Sequence, residues 1–155
     1  MRVAGPVVLV GCGRLGSAIL EGWLLTDTVA PSDLIILSPS EKPAAEAARA
    51  KGARINPERE ALKTARVVVL AVKPAMWRAV ATPLLPSLGD KTTILSVMAG
   101  VTAPTLAEGL GGCPIEVLRR RNTRILLVSF LFCFVTPMIL GGDEIAAGQV
   151  TIKDL

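Results

Sequence analysis

Three glycines with a characteristic spacing follow the first apolar run of the chain. The run, VVLV at residues 7–10, has no polar alternation, as expected of a parallel strand covered on both faces. Gly11, Gly13 and Gly16 then match the pattern GxGxxG. The first glycine permits a tight turn, the second lets the backbone approach a pyrophosphate, and the third lets the next helix pack on the strand. The spacing predicts a dinucleotide-binding turn, although glycine-rich turns also end ordinary strands.

The same stretch has a second interpretation. Leu9-Val10-Gly11-Cys12, after Arg2 and a short apolar run, resembles the lipid-attachment box of bacterial secreted lipoproteins. Pro6 interrupts that run, which is at the lower limit for a signal segment. The chain also continues as an α/β pattern without a polar tether, so the dinucleotide turn is the favoured hypothesis.

The end of the second predicted strand bears on the choice of cofactor. The strand LIIL, residues 34–37, begins about 20 residues after the glycines, where dinucleotide-binding folds place the residue that reads the ribose. An Asp or Glu there would bind the ribose hydroxyls of NAD, and none is present. Ser38, Ser40 and Lys42, with Arg14 in the first loop, offer hydroxyl donors and positive charge instead. We therefore predict NADPH, with NADH less favoured, although SPS is also an ordinary turn with a helix cap.

Two later strands end in segments that a cofactor could reach. VVVLAV, residues 67–72, is followed by Lys73 and Pro74, and Lys73 would emerge at the carboxyl edge of a parallel sheet, where ligands bind. A single lysine at a strand end also fits a solvated surface cation. The predicted strand at residues 92–98 leads into Ala99 and Gly100, small residues that let the backbone approach a flat ring.

Composition excludes several other classes of function. The net charge of +4 could suit nucleic acid, but only 3% of the 155 residues are aromatic and none is Tyr, so base stacking is poorly served. The three cysteines are odd in number and lack CxxC spacing, which predicts no disulfide framework, no metal site and a reduced, cytoplasmic setting. The absence of His removes the common nucleophilic pairs.

The elements that must position these residues alternate between strand and helix. The glycine turn opens a helix over residues 17–25 with Ala18, Ile19, Trp23 and Leu24 on its buried face. Further helices are predicted in the Ala-rich segment ended by Gly52, over residues 76–85 and from Thr102 to residue 110, and a short helical turn over residues 58–65. The order predicts a single Rossmann-like α/β domain, doubly wound around a mainly parallel sheet. We assign residues 1–118 to it and residues 119–155 to a divergent apolar tail.

Four separated segments, VGCGRLGSAI, LSPS, LAVKP and SVMAGVT, together resemble the N-terminal cofactor domain of the pyrroline-5-carboxylate reductases. The resemblance extends from the first strand to about Gly112. It implies binding of NADPH by the glycine loop and the serine after the second strand, with the AVKP and AGV segments beside the nicotinamide. The residues to which this carries over are Gly11, Cys12, Gly13, Arg14, Leu15, Gly16, Ser38, Ala71, Val72, Lys73, Pro74, Met98, Ala99 and Gly100.

The activity that the resemblance implies is hydride transfer from the nicotinamide to the C=N carbon of a cyclic imine, which gives proline. A cationic imine needs no strong acid from the protein, so a site without His is compatible with the reaction, and we assign no catalytic residue. One departure concerns a family motif, Asn-x-Glu, that touches the cofactor. At that place the chain reads Glu58-Arg59-Glu60, and no contact is transferred.

Beyond Gly112 the resemblance is expected to stop. The family continues into a Pro-Asn-Thr-Pro-like motif and a helical domain that builds the homo-oligomer and the imine site, whereas this chain keeps only Asn122-Thr123. The uncharged run at residues 125–140 is a candidate membrane helix, but sixteen residues at about 1.5 Å each reach ~24 Å across a core of about 30 Å. A final buried strand and a tail from an altered reading frame are the alternatives, and we favour the altered tail.

The expected protein is thus an incomplete reductase that keeps its cofactor domain and binds the dinucleotide without turnover. The alternative is a non-catalytic dinucleotide-binding or membrane-tethered interaction protein. Another imine or hydroxyacid reductase with the same cofactor half is a third hypothesis.

Overall fold

Six parallel strands form one sheet in the computed structural model, which describes residue 3, residues 5–110 and Ile115–Val117. The strands are β1 Val7–Val10, β2 Leu34–Leu37, β3 Arg54–Ile55, β4 Val67–Leu70, β5 Thr93–Ser96 and β6 Ile115–Val117. Their spatial order is β3-β2-β1-β4-β5-β6. The chain therefore leaves β1 in one direction, through β2 and β3, and returns to the other side of β1 at β4. This is the doubly wound arrangement, and the predicted Rossmann-like α/β fold is confirmed.

Four α-helices connect the strands, together with short 3₁₀ segments. The helices are α1 Arg14–Thr26, α2 Pro43–Ala50, α3 Trp77–Ala81 and α4 Ala103–Gly109, and the 3₁₀ segments are Pro31–Asp33, Arg59–Leu62, Pro74–Met76 and Thr82–Ser87. As predicted, Thr102 caps α4, because its side chain accepts a hydrogen bond from the Thr105 backbone N–H. Gly52 follows α2 with a φ of +107°, which suits a glycine at a helix end.

The first strand lies at the centre of the sheet. All four residues of β1 are at most 2% exposed, and the strand pairs with β2 on one side and β4 on the other. This explains the unbroken apolar run, since both faces are covered. A segment built into the middle of the sheet could not be removed as a signal without loss of the fold, which argues against the lipid-attachment alternative.

The buried face of α1 differs from the prediction. The structure buries Gly16, Ile19, Leu20 and Trp23, while Ala18 is exposed and Leu24 is half-buried. The observed set has the i, i+3, i+4, i+7 spacing of a helix packed by one stripe. Ile19 and Trp23 are buried as predicted, whereas Ala18 and Leu24 were wrongly assigned, because Gly16 was treated as part of the turn although it lies in the first turn of α1 and belongs to the buried face.

The crossover between β4 and β5 is also less regular than predicted. A helix was expected over residues 76–85, but α3 ends at Ala81 and the chain continues as the 3₁₀ segment Thr82–Ser87. Pro83 and Pro86 lie in that segment. Because proline lacks the backbone N–H and clashes with the preceding turn, an α-helix cannot continue through it.

Two strands were missed by sequence reasoning. β3 has two residues and β6 has three, which is too short for a hydrophobic period to be recognised. Every described residue lies within one compact unit, Met1–Arg119. The predicted tail, residues 119–155, lies outside the described residues, so the proposed division of the chain stays a prediction.

No helix in the described part of the chain is both long enough and apolar enough to cross a membrane. The apolar run at residues 125–140, which prompted the membrane alternative, lies outside that part.

Candidate dinucleotide-binding site

The carboxyl ends of three neighbouring strands are level with one another. In the register of the sheet, Val10 lies opposite Leu37 of β2 and Leu70 of β4. Beyond these pairs the Gly11 N–H donates to the Leu37 carbonyl at 2.9 Å and the Ala71 N–H donates to the Val10 carbonyl at 2.8 Å. The loops after β1, β2 and β4 therefore start side by side at the point where the winding of the sheet reverses. This is where open α/β sheets bind their ligands.

Gly11 and Gly16 hold this turn together by close backbone approach. Gly11 has a φ of +94°, and a Cβ added there would lie 2.8 Å from the Ala71 carbonyl oxygen and 2.9 Å from Val72 Cγ1. A Cβ on Gly16 would collide with the Gly11 carbonyl oxygen. Both glycines are thus needed for packing between the turn, α1 and the loop after β4, which agrees with the roles predicted for the first and third positions.

Gly13 differs from the other two glycines because it faces open space. It is exposed, and nothing lies within 4 Å of a Cβ added to it. It is also the N-cap residue of α1, where no side chain makes a capping hydrogen bond, and the first turn of α1 has no acidic residue. The N–H groups of Arg14, Leu15 and Gly16 begin a thirteen-residue helix and so have no intrahelical partner. An anion can therefore approach the positive end of the helix dipole.

Cys12 can take part in binding only through its backbone. Its side chain is 2% exposed, and its Sγ lies 3.4 Å from the hydroxyl oxygen of Ser17. The Ser17 hydroxyl in turn donates to the Cys12 carbonyl at 3.3 Å. Ser17, which the sequence analysis did not single out, therefore stabilises the glycine turn through the contacts of its hydroxyl with Cys12.

The loop after β2 borders a cavity of about 250 Å³. Its lining residues are Ser38, Pro39, Ser40, Glu41, Ala45, Glu46, Arg49, Ile55 and Asn56. Ser38 is 6% exposed and its hydroxyl donates to the Ser40 carbonyl at 2.9 Å, so this side chain shapes the loop, while Ser40 is exposed. The cavity lies at the strand end where the adenosine ribose of a dinucleotide is expected.

The charge around this cavity differs from the sequence-based expectation. Lys42 was predicted to contribute positive charge, but it is the N-cap residue of α2 and is not among the lining residues. Arg49 lines the cavity instead, together with the acidic residues Glu41 and Glu46. Arg14 is exposed at the first position of α1.

Asn56 is the residue of this site that sequence reasoning missed. Its side chain accepts a hydrogen bond from the Ser38 N–H at 2.9 Å and donates to the Ser38 carbonyl at 2.7 Å. Its φ of +44° is the left-handed conformation that asparagine tolerates better than most residues. The available signal was the family pattern Asn-x-Glu, which is present as Asn56-Pro57-Glu58, two residues before the place where it was sought.

Substitution of Asn56 should loosen the loop after β2. We expect Asn56→Ala to lower the free energy of unfolding by about 1–2 kcal/mol, because two hydrogen bonds to Ser38 are lost and alanine is strained at positive φ. Asn56→Gly loses the same bonds without the strain and serves as the control, so the difference between the variants isolates the backbone term. Urea titration measures both variants, and a wild-type stability for Asn56→Ala would show that its hydrogen bonds to Ser38 do not stabilise the loop.

The loops after β4 and β5 form the other side of the edge. Ala71 and Val72 are half-buried against the glycine turn, and Lys73 and Pro74 are exposed. In the loop after β5, Met98 is buried in the hydrophobic core, whereas Ala99 and Gly100 are exposed. Only the backbone of Met98 can therefore face a ligand. Gly100 has a φ of +80° and open space beside it, which leaves room for a flat ring.

A metal centre is not formed by the part of the chain described here, since no three acidic or cysteine side chains gather in it. The features of this edge are instead those of an anion and nucleotide site. The N-terminus of α1 has no side-chain cap, and open space surrounds Gly13 there, which fits a pyrophosphate. The cavity at the end of β2 fits the ribose of a dinucleotide.

Comparison with known proteins agrees with this geometry. The family model described as "NADP oxidoreductase coenzyme F420-dependent" matches residues 6–100 of the chain. A pyrroline-5-carboxylate reductase of Escherichia coli (strain K12) is 31% identical over 146 residues, which cover 92% of this chain and 53% of that protein. Pyrroline-5-carboxylate reductase 3 of Xenopus laevis is 33% identical over 110 residues, or 70% of this chain and 40% of that protein. The chain thus spans about half or less of the length of these curated relatives.

A solved structure shares the fold. The pyrroline-5-carboxylate reductase of Coxiella burnetii superposes with a TM-score of 0.64 at 20% identity, covering 85% of this chain and 57% of that one. The alignment with the Escherichia coli protein covers 92% of the chain and therefore extends past Gly112, further than the sequence motifs alone indicated.

Proposed function

The chain belongs to the pyrroline-5-carboxylate reductase family, and on that premise we propose that it binds NADPH and serves the reduction of 1-pyrroline-5-carboxylate to proline. The observation that carries the proposal is the open N-terminus of α1 at Gly13, where the winding of the sheet reverses. There the free N–H groups of the first helical turn would hold the pyrophosphate. Because Gly13 has no side chain, the pyrophosphate can approach these groups closely.

The proposed contacts follow the edge of the sheet from one end of the cofactor to the other. Backbone groups of the glycine turn bind the pyrophosphate, and Ser38 and Ser40 border the adenosine ribose. The nicotinamide lies against the segment from Ala71 to Pro74 and against Ala99 and Gly100, with Met98 contributing through its backbone. When bound, the cofactor supplies the hydride, while these residues orient its ring and exclude water from one face.

The preference for NADPH over NADH rests on charge and hydroxyl groups near the ribose. Arg14 is exposed at the start of α1, and Ser40 and Arg49 line the cavity after β2. No acidic residue directly follows β2, where an NAD-specific site would carry one. The family model, described as that of NADP oxidoreductases, supports the same preference.

The test is a titration of the full chain with NADPH and with NADH, followed through the fluorescence of the reduced nicotinamide. We expect a shifted, saturable NADPH signal and weaker binding of NADH. A chain that binds neither would contradict the proposed function, and equal affinities would contradict the preference.

Turnover is tested separately with 1-pyrroline-5-carboxylate and NADPH, measured as loss of absorbance of the reduced cofactor. Conversion by this chain would support the reductase directly. Tight NADPH binding without conversion would contradict turnover by this chain alone, and it would fit both an incomplete reductase that keeps its cofactor domain and a non-catalytic dinucleotide-binding protein.

A further inference from the structure

An arginine and a glutamate of α2 lie together at the cavity after β2. Arg49 Nη1 is 3.3 Å from Glu46 Oε2, and the two side chains are 54% and 43% exposed. Both residues line the cavity, as does Ala45 of the same helix face. The pair therefore brings one positive and one negative charge to the place where the ribose of a dinucleotide is expected.

The second carboxylate oxygen of Glu46 is unusual. Oε1 is shielded from solvent and has no hydrogen-bond partner within the described residues. A shielded carboxylate oxygen without a donor is costly, so the carboxylate would gain by rotating toward the cavity and accepting a hydrogen bond from a ligand hydroxyl there. Within the described residues, the arginine beside it is held by this partly exposed ion pair, which is a weak interaction. Arg49 is thus free to turn toward a stronger anion.

NADP and NAD differ at the group that would meet this pair. NADP carries a 2′-phosphate, an anion that a guanidinium binds through two parallel hydrogen bonds, whereas NAD carries a 2′-hydroxyl, which donates to a carboxylate. We propose that Arg49 and Glu46 set the cofactor preference of this site, Arg49 by binding the 2′-phosphate and Glu46 by accepting from the 2′-hydroxyl. This inference rests on the proposed dinucleotide binding and deepens it.

The other cations considered for this role, Lys42 at the N-cap of α2 and Arg14 at the start of α1, do not line the cavity. Arg54 of β3 provides a matched control for Arg49. It is exposed, and its neighbour Ile55 lines the cavity, so the side chain of Arg54 leaves the strand on the opposite face.

The experiment compares the dissociation constants of NADPH and NADH for the wild type, Arg49→Gln, Glu46→Gln and Arg54→Gln. We expect Arg49→Gln to weaken NADPH binding by about tenfold or more and to change NADH binding by less than about twofold, because charge-assisted hydrogen bonds to the phosphate are lost. Glu46→Gln should shift the preference in the opposite direction, raising the NADPH to NADH affinity ratio by about threefold or more. Arg54→Gln should leave the ratio unchanged.

Adenosine 2′,5′-bisphosphate and AMP, titrated by calorimetry, repeat the comparison without the nicotinamide half of the cofactor. The same shifts with these probes would locate the effect at the 2′ position. If Arg49→Gln lowers the affinities for both cofactors equally, or if neither variant changes the ratio, the inference is wrong even though the wild type binds NADPH. If the wild type binds no dinucleotide, the proposed function itself fails.

Discussion

Replacement of Gly16 with alanine should destabilise the domain by about 3 kcal/mol or more, a large part of the 5–15 kcal/mol typical of a folded domain. The added Cβ would collide with the Gly11 carbonyl oxygen. That carbonyl cannot move away, because Gly11 is itself packed against Ala71 and Val72 with a positive φ. The cost therefore involves two backbone segments and a neighbouring loop, with no flexible side chain to absorb it.

The sign of this effect is informative because the opposite is expected on local grounds. Gly16 lies inside α1, where alanine is favoured over glycine by about 1 kcal/mol. Urea unfolding is followed by the fluorescence of Trp23 and Trp77, which are both 5% exposed. Gly13→Ala, in the same loop but with open space around its Cβ, is the control and should retain most of the stability. A stabilised Gly16→Ala variant would show that the close approach to Gly11 is not made.

Much of this fold was predictable because short stretches of sequence indicate the individual strands and turns. Four of the strands are short, mainly apolar runs, and their alternation with helices leaves few arrangements other than a doubly wound sheet. The glycine spacing predicted the turn for the same reason, since each position has its own steric requirement. The motifs that resemble the reductase family mark these same loops, and the family comparison confirmed the resemblance.

What could not be predicted depends on contacts between distant segments. The hydrogen bonds between Asn56 and Ser38 join residues eighteen positions apart, and the family pattern at Asn56-Pro57-Glu58 marks the asparagine without indicating that Ser38 is its partner. From the sequence, Arg49 and Glu46 are an ordinary solvated pair on an Ala-rich helix. Their position beside the loop after β2 is evident only from the folded structure. Side-chain burial was equally invisible for Met98, which belongs to a small-residue motif but packs into the core.

The different environments of the three glycines lead to a second prediction with a large effect. Gly13→Ser should leave the domain as stable as the wild type or more stable by a few tenths of a kcal/mol, yet weaken NADPH binding by about 100-fold. Serine is a favoured N-cap residue, and its hydroxyl can accept from the free N–H groups of the first turn of α1. Those are the groups proposed to hold the pyrophosphate, so the side chain both stabilises the helix and occupies the binding site.

Opposite changes in stability and affinity separate this site from a purely structural turn. Urea unfolding gives the stability, and fluorescence titration with NADPH gives the affinity of the same preparations. Ser40→Ala, at the exposed ribose end, is the control, because it should reduce affinity far less than Gly13→Ser. If Gly13→Ser binds NADPH as tightly as the wild type, the pyrophosphate does not lie at the N-terminus of α1. A loss of both stability and affinity would mean that Gly13, like Gly16, is required for packing, and that its open surroundings do not mark a ligand site.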